Sequence, residues 1–288
     1  MKYKVTIQGI EGCFHDAAAR SYFGARGLEV ETIECETFQA MFDRMEDDAS
    51  VAGIVAIENT IAGSLLPNHE LLRKSNMTIV GEQKMRISHV LAALPGQRIE
   101  DIEEVHSHPM ALMQCAEYLD TLPGVKLVEK EDTAGSARWI RDNRLTDHAA
   151  ICPAGAARIY GLEVLADGIE TNKRNFTRFL VLANRTAAPE LRREIAAAQG
   201  TAERIDKSSL VFTLPHASGS LSKVLSILSF YDMNLSMIQS LPIVGQEWEY
   251  QFYINLLFAD YKRYRQAVDA IVPLTGEFQI LGEYAEHR

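Results

Sequence analysis

A polar segment, Glu58-Asn59-Thr60, directly follows the apolar run 53–57, which has the composition of a buried β-strand. Gly63 and Ser64 come shortly after it. Open α/β sheets bind their ligands beyond the carboxyl ends of such strands. Glu58 and Asn59 are therefore candidates for contact with a ligand, although the same polar cluster could equally cap a helix.

A second segment, His106-Ser107-His108-Pro109, also follows a predicted strand, and Pro109 suits the first position of a helix. Two histidines two residues apart suggest a pair of metal ligands, yet no carboxylate or cysteine stands at a familiar ligand spacing. We therefore predict no metal, with Ser107 or His108 as the helix cap. Gln114 lies one to two turns further on, where it faces either a cleft or the solvent.

Cationic and hydroxyl side chains crowd the segment 172–179, NKRNFTRF. Arg178 stands among Phe176, Phe179 and Leu180, and a buried guanidinium is costly without an anionic partner. Gly9-x-x-Gly12 follows a strand and precedes a helix, but it lacks the middle glycine of a dinucleotide fingerprint. A tight turn is favoured there over an anion cradle. These residues alone indicate an α/β protein that binds a small anion.

The elements that must position these residues alternate between strand and helix over the first two-thirds of the chain. GIVAIE (53–58), VKLVEK (125–130), HAAICP (148–153) and FTRFLVLA (176–183) are predicted strands, and 81–94 is one extended run. Thr37 and Thr133 are predicted N-caps, the first for a helix with an apolar stripe of Phe38, Met41, Phe42 and Met45. Such alternation predicts a mainly parallel sheet with helices on its faces.

The pattern changes after this region. Residues 186–206 are small, polar and charged, with no apolar stripe wide enough for a core helix, which predicts a linker. Residues 208–284 then give the order β-α-β-β-α-β, with a turn around Gly245, which is the ferredoxin-like arrangement.

Composition limits the classes of partner and compartment. The 288 residues carry 29 Lys and Arg against 39 Asp and Glu, a formal net charge of −10. Without a basic cluster we expect no nucleic-acid partner. No apolar run approaches the roughly 18 residues of a membrane helix, and the N-terminus lacks the apolar stretch of a signal peptide. Four cysteines without metal-ligand spacing are expected to be reduced thiols. We therefore predict a cytoplasmic protein that contacts no membrane.

Ordered sequence blocks along residues 3–285 resemble the prephenate dehydratases that carry a C-terminal ACT regulatory domain. The blocks are QGIEGCFHDAAA, VAIENTIAGSL, GEQKMRISHVLAAL, HSHPMALMQC and NFTRFLVLA, followed by KSSLVFTL, DMNLSMIQSLP, WEYQFYI and ILGEY. The resemblance implies conversion of prephenate to phenylpyruvate, water and CO2 without a cofactor. It also implies a catalytic domain over 1–186, similar to a type 2 periplasmic binding protein, with the substrate in a cleft between two α/β lobes. A linker over 187–206 and the ACT domain over 207–288 would follow.

The resemblance also assigns roles to residues. Thr177 would assist departure of the ring hydroxyl, with Asn59, Ser107 and Gln114 as further catalytic residues. The implied substrate-binding residues are Arg178, Phe179, Gly12, Cys13 and Glu58. Arg178 would grip a carboxylate in bidentate fashion, and the backbone N–H groups of Gly9, Gly12 and Cys13 would face an anion. Cys13 and His15 depart from the family's usual Ser/Thr and Ser, and Met110 from its glutamine.

Larger departures fall in the implied effector site between two ACT domains. The usual PGAL reads Ser218-Gly219-Ser220-Leu221, and the usual ESRP reads Gln239-Ser240-Leu241-Pro242. Gly219, Ser220, Leu221, Asn234, Leu235, Gln239 and Ser240 would still form the site. Without the Glu and the Arg, we predict weak phenylalanine inhibition or none, and a homodimer or homotetramer through ACT domains. Two alternatives remain: an arogenate dehydratase, or a non-catalytic two-lobed protein that binds a small anion and senses an amino acid.

Overall fold

Two α/β lobes and a C-terminal domain make up the part of the chain that the computed structural model describes, residues 2–199, 204–243 and 250–287. The first lobe begins with β1 (Lys2–Gln8), α1 (Phe14–Gly24), β2 (Glu29–Cys35), α2 (Phe38–Asp47), β3 (Ala52–Asn59), β4 (Gly63–Ser64), α3 (Leu66–Lys74) and β5 (Met77–Arg86). The second lobe comprises β6 (Val90–Ala93), β7 (Glu104–Ser107), α4 (Pro109–Gln114), α5 (Ala116–Leu119), β8 (Lys126–Glu129), α6 (Thr133–Asn143), β9 (His148–Cys152), α7 (Ala154–Ile159) and β10 (Glu163–Asp167). The chain then returns to the first lobe as β11 (Phe176–Asn184) and α8 (Ala188–Gln199).

The chain passes from the first lobe to the second after β5 and returns after β10, and both sheets contain parallel and antiparallel strands. The first-lobe order is β5-β11-β3-β1-β2, in which β11 runs antiparallel to both neighbours because it enters from the other lobe. In the second lobe β7 is parallel to β8 and β9, whereas β6 is antiparallel to β9 and β10. The α/β fold and the two lobes are confirmed, but the sheets are less parallel than predicted. The predicted extended run 81–94 is in fact two strands in different lobes, separated by the crossing at 87–89.

Local sequence explains the strands and helices that frame the cleft. β3 is an almost continuous apolar run, and it lies buried at the centre of the first lobe. Thr37 caps α2 by accepting a hydrogen bond from the Ala40 N–H at 3.1 Å, as predicted. At α6 the cap is Asp132 rather than the predicted Thr133, which is the first helical residue.

The predicted linker contains a helix. Residues Ala188–Gln199 form α8, and its Leu191 and Ile195 are buried in the main core of the first lobe. The prediction of a segment without a core helix is wrong here. Two apolar side chains four residues apart lie on the same face of a helix, and they suffice to pack that face against the core.

The C-terminal domain consists of β12 (Lys207–Leu214), α9 (Ser220–Phe230), β13 (Asn234–Pro242), β14 (Tyr250–Leu257), α10 (Tyr261–Ile271) and β15 (Phe278–Tyr284). This confirms the β-α-β-β-α-β order, with the sheet order β13-β14-β12-β15. The predicted turn around Gly245 lies outside the described residues.

The C-terminal sheet packs against the back of the first lobe. One of its faces forms a core with β3, β5 and β11, and its other face is covered by α9 and α10. β15 also meets β5 directly, where Gly282 pairs with Ile79. A Cβ atom on Gly282 would lie 2.5 Å from Ile79, so only glycine permits this approach. None of the described helices is long and apolar enough to cross a membrane.

Candidate active site

A cleft of about 330 Å³ lies between the two lobes. The first lobe contributes the end of β1, the start of α1, the end of β3 and the start of β11. The second lobe contributes one face of α4 and the start of α6, and the crossing segment adds His89. The predicted residues that line this cleft are Thr177, Asn59, Gln114, Phe179 and Cys13.

Thr177 and Asn59 form a hydrogen-bonded pair on neighbouring strands. The Asn59 amide donates from Nδ2 to Thr177 Oγ1 at 2.9 Å and to Asn175 Oδ1 at 2.8 Å. Its Oδ1 accepts from the N–H groups of Ile61 and Ala62, which fixes the orientation of the amide. Because the Thr177 oxygen already accepts from Asn59, its own proton is free to point into the cleft.

Gln114 reaches the cleft from α4 and contacts a histidine to which the sequence alone assigns no role. Gln114 Oε1 lies 3.1 Å from His89 Nε2, so the histidine donates and the Gln114 NH2 group remains for other partners. The His89 backbone N–H is held by Glu170 at 3.0 Å. Burial lowers the pKa of His89, which keeps the imidazole neutral near pH 7.

The turn before α1 does not form the expected anion cradle. The N–H groups of Gly9, Gly12 and Cys13 are already bonded to Cys35 O, Asp16 Oδ2 and Ile10 O. Gly12 has a φ of +89°, and a Cβ there would lie 2.9 Å from the Cα of Ala156 in α7. Gly12 is therefore required by the close approach of the lobes, and its predicted role in substrate binding is not supported.

The first turn of α1 reaches the cleft beside that turn. Its N-cap is Cys13, whose side chain makes no capping hydrogen bond. The thiol instead donates to Gln8 O at 3.6 Å, and burial raises its pKa to about 12. Phe14 and His15 of this turn line the cleft. Uncapped helix N-termini attract anions through their N–H groups and the helix dipole.

Charged groups in the cleft are carboxylates rather than cations. Glu131 and Asp132 line it at the start of α6, and no lysine or arginine stands among its described lining residues. Burial raises the pKa of Asp132. Burial also lowers the pKa of His15 to about 4, so this imidazole is neutral near pH 7. His15 Nε2 accepts from the Ala56 N–H at 3.2 Å, which places its proton on Nδ1.

Arg178 and Glu58 lie on the opposite face of the sheet from the cleft. Arg178 Nη1 is 3.3 Å from Glu82 Oε2, and its Nε is 3.2 Å from Glu58 Oε2. The anionic partner expected for a buried arginine is thus a pair of the protein's own carboxylates. Arg178 and Glu58 are predicted to bind substrate, but neither lines the cleft in this geometry, because alternate residues of a strand face opposite sides.

Ser107 is also placed away from the cleft. It is fully buried, and its hydroxyl donates to Ile151 O at 2.6 Å, which ties β7 to β9. Ser107 is predicted to be catalytic, but it does not line the cleft, and its hydroxyl is engaged in this contact between strands. His108 caps α4 instead, by accepting at Nδ1 from the Met110 N–H at 3.1 Å, and it lines the cleft.

The residues of the implied effector site lie at two ends of β13. Gly219, Ser220 and Leu221 start α9 near the end of β13 that carries Gln239 and Ser240. Asn234 and Leu235 start β13 at its other end. In the described structure β13 pairs only with β14 and so forms an edge of the sheet. One protomer alone therefore does not bring both sets together.

One histidine and carboxylate cluster in the second lobe has the composition of a metal site. Glu104 Oε2 lies 3.3 Å from His106 Nε2 and 3.5 Å from His148 Nε2. The two imidazole rings stack, with centroids 5.0 Å and planes 16° apart, so their in-plane lone pairs do not converge on one point. Lys126 already pairs with Glu104 at 2.8 Å. We therefore assign no metal to this cluster.

The family model described as prephenate dehydratase matches residues 5–187. Among curated proteins, arogenate dehydratase/prephenate dehydratase 6 of Arabidopsis thaliana is 33% identical over 98% of this chain and 68% of its own length. The chain spans about two-thirds of the length of such relatives.

Two solved structures share the whole fold. GqqA, described as a novel type of quorum quenching acylase, superposes with a TM-score of 0.84 at 27% identity, over 99% of this chain and 98% of that one. A prephenate dehydratase from Arthrobacter aurescens in complex with L-Phe gives 0.83 at 28% identity, over 98% and 90% of the two chains.

Proposed function

The chain belongs to the prephenate dehydratase family, and we propose that it converts prephenate to phenylpyruvate, water and CO2. The observation that carries the proposal is the Asn59–Thr177 pair in the cleft between the lobes. Asn59 Nδ2 can only donate, so it turns the lone pairs of Thr177 Oγ1 toward itself and leaves the hydroxyl proton for a ligand.

The reaction needs a hydrogen-bond donor at the ring hydroxyl, which is the leaving group. The ring carboxylate leaves as CO2, its C–C bonding electrons enter the ring, and the C–O bond to the ring hydroxyl breaks. Aromatisation of the ring drives this step and replaces an electron-sink cofactor. Hydroxide is a poor leaving group, so a positioned hydrogen bond from Thr177 stabilises the developing charge on oxygen. Because a threonine hydroxyl is a weak acid, hydrogen bonding precedes full proton transfer.

The substrate's carboxylates require recognition without an arginine or lysine side chain in the described lining. We assign one carboxylate to the first turn of α1, where Phe14 and His15 reach the cleft. The Gln114 amide supplies a further neutral donor from the opposite lobe. Neutral donors solvate the departing carboxylate less strongly than a cation, which favours decarboxylation.

The direct test is incubation of the protein with prephenate, followed by measurement of phenylpyruvate. Formation of phenylpyruvate well above the uncatalysed rate, and its loss in Thr177→Val, support the proposal. Stable binding of prephenate without turnover would instead support the non-catalytic small-anion binder.

Arogenate is a second candidate substrate, because the cleft carries the means to hold an ammonium group. Arogenate bears an ammonium where prephenate bears a keto group, and Glu131 and Asp132 are the carboxylates of the lining. Asp132→Asn should then lower kcat/KM for arogenate about tenfold or more, as expected for the loss of a charged hydrogen bond, and leave prephenate turnover unchanged. An equal effect on both substrates would show that Asp132 acts only as the cap of α6.

Acylase chemistry receives less support from the site. Covalent acyl transfer needs a nucleophile activated by a neighbouring base. In the described lining, Cys13 is a buried thiol whose pKa is raised to about 12, and its hydrogen bond goes to a backbone carbonyl. His15 and His89 are bonded to Ala56 and Gln114, not to a hydroxyl or a thiol.

The C-terminal domain is proposed to be an ACT module that pairs with a second copy along the free edge of β13. Its β-α-β-β-α-β order and the L-Phe bound to the Arthrobacter relative support this assignment. Pairing of edge strands would cover the unpaired backbone groups of β13 and give at least a homodimer. It would also bring Gly219 of one end toward Asn234 of the other end, across the interface.

A further inference from the structure

Two adjacent residue pairs connect the cleft to the back of the same sheet. In the pairing of β11 with β3, Thr177 lies opposite Asn59 and Arg178 lies opposite Glu58. The first pair faces the cleft, and the second pair faces the C-terminal domain. The register of this pairing shifts between Arg178 and Phe179, where Ile57 of β3 is the extra residue, whereas Thr177 and Arg178 are consecutive residues of β11. Any shift of Arg178 along this short segment therefore moves Thr177 as well.

The C-terminal domain holds Arg178 directly through Asn255. With the Asn255 amide oriented so that its nitrogen faces Ser209 Oγ at 2.6 Å, its oxygen accepts from Arg178 Nη1 and Nη2 at 3.0 and 2.8 Å. Arg178 is 7% exposed and Asn255 is 2% exposed. This contact lies on β14, next to β13, whose Met237 pairs with Asn255.

The same domain holds the carboxylate partner of Arg178. Lys207 Nζ donates to both oxygens of Glu82 at 2.9 Å, and Glu82 Oε2 lies 3.3 Å from Arg178 Nη1. Glu82 and Lys207 are also buried. Burial alone would raise the pKa of Glu82, but Lys207 and Arg178 hold it below its ordinary value. Charges buried in this way tolerate few alternative arrangements, because an unpaired member is costly.

We propose that Asn255 and Lys207 of the C-terminal domain are positioning residues for Thr177, acting through Arg178 and Glu82. The proposal rests on the proposed function, because its kinetic readout is turnover. In this proposal the C-terminal domain holds β11, the strand that carries Thr177, in place whether or not an effector is bound.

Arg178→Lys separates this role from carboxylate binding by kinetics. A lysine keeps the charge but not the planar fork. Positioning predicts a fall in kcat of about tenfold or more with KM changed less than about twofold, since a displacement of 1 Å can cost about 10²-fold. A rise in KM with unchanged kcat would overturn the proposal.

Asn255→Ala tests the contribution of the C-terminal domain, with two matched variants. We expect a fall in kcat of about tenfold in Asn255→Ala, and recovery to within about threefold in Asn255→Asp, which retains an acceptor for the guanidinium. Gln251→Ala is the control. Gln251 is buried on the same strand and bonds Glu70 across the same interface, away from Arg178. It should leave kcat unchanged while lowering the melting temperature.

A readout independent of turnover distinguishes failure of the proposal from failure of the proposed function. The NMR signal of the Thr177 γ-methyl group should shift in Asn255→Ala and in Arg178→Lys, but not in Gln251→Ala. Absence of turnover in the unmodified protein would refute the function alone. An unshifted Thr177 methyl signal, or equal kcat losses in the Asn255→Ala and Gln251→Ala variants, would overturn the positioning role.

Discussion

Replacing Thr177 by valine should abolish most turnover while leaving the fold intact. Valine has nearly the shape of threonine and suits a strand, so the change removes little more than the hydroxyl. Asn59 Nδ2 loses its 2.9 Å bond to Thr177 but keeps Asn175 Oδ1 at 2.8 Å and Phe176 O at 3.2 Å. Its two hydrogens remain satisfied, so the cost in unfolding free energy should be about 1 kcal/mol or less.

The kinetic cost should be much larger. A positioned acid or donor contributes about 10²–10⁴-fold to the rate, which corresponds to about 3–5 kcal/mol of activation free energy. The assay is kcat for phenylpyruvate formation, beside urea unfolding of the same samples. Thr177→Ser retains a hydroxyl and should keep most of the activity.

A control for the loss of a buried strand hydroxyl is available in the same lobe. Thr6 is fully buried on β1, and its hydroxyl bonds Ala52 O at 3.2 Å away from the cleft. Thr6→Val should leave kcat unchanged. If the kcat of Thr177→Val stays within about threefold of wild type, the donor role assigned to Thr177 is refuted.

Three further predictions concern metals, regulation and pH. Chelators should leave turnover intact, and an inactivation that added metal reverses would show that a metal takes part. Phenylalanine should inhibit weakly or not at all, because Gln239 and Leu241 leave its charged groups with fewer partners; micromolar binding by calorimetry with clear inhibition would contradict this. Burial lowers the pKa of His15 from 6.5 to about 4, so between pH 6.5 and pH 4 the imidazole is protonated in the unfolded state but not in the folded state. The neutral, buried His15 therefore contributes about 3 kcal/mol to the free energy of unfolding above pH 6.5, and this contribution is lost as the pH falls to 4. Urea unfolding of wild type and His15→Gln across that range measures the difference.

Local periodicity was enough to predict much of the fold. The apolar run of β3, the capped stripe of α2 and the C-terminal β-α-β-β-α-β order each depend on residues close in sequence. The α8 helix was not predicted, because it is stabilised by packing against the core of the first lobe, and the local sequence does not reveal that contact. The division of residues 81–94 into two strands was not predicted for a similar reason. An extended segment that crosses between lobes has the same local pattern as one continuous strand.

The sequence blocks identify the residues near the candidate site but do not show which of their side chains face the cleft. A block gives residue identities, but strand alternation allows only one of Thr177 and Arg178, and one of Asn59 and Glu58, to face the cleft. Alternation therefore excludes one residue of each pair from the cleft, although it does not say which one. Asp132 carries no distinct signal in the sequence, because a carboxylate before a helix is typical of a cap, a role that it also has.

In the proposed reaction, this cleft couples loss of the ring hydroxyl to loss of the ring carboxylate. The most direct measurement uses prephenate labelled with ¹⁴C in the ring carboxylate and follows labelled CO2 and phenylpyruvate in the same samples. Equal amounts of the two products at every time point, formed by wild type and not by Thr177→Val, are the predicted result. Labelled CO2 without matching phenylpyruvate, or no consumption of prephenate, would contradict this coupling.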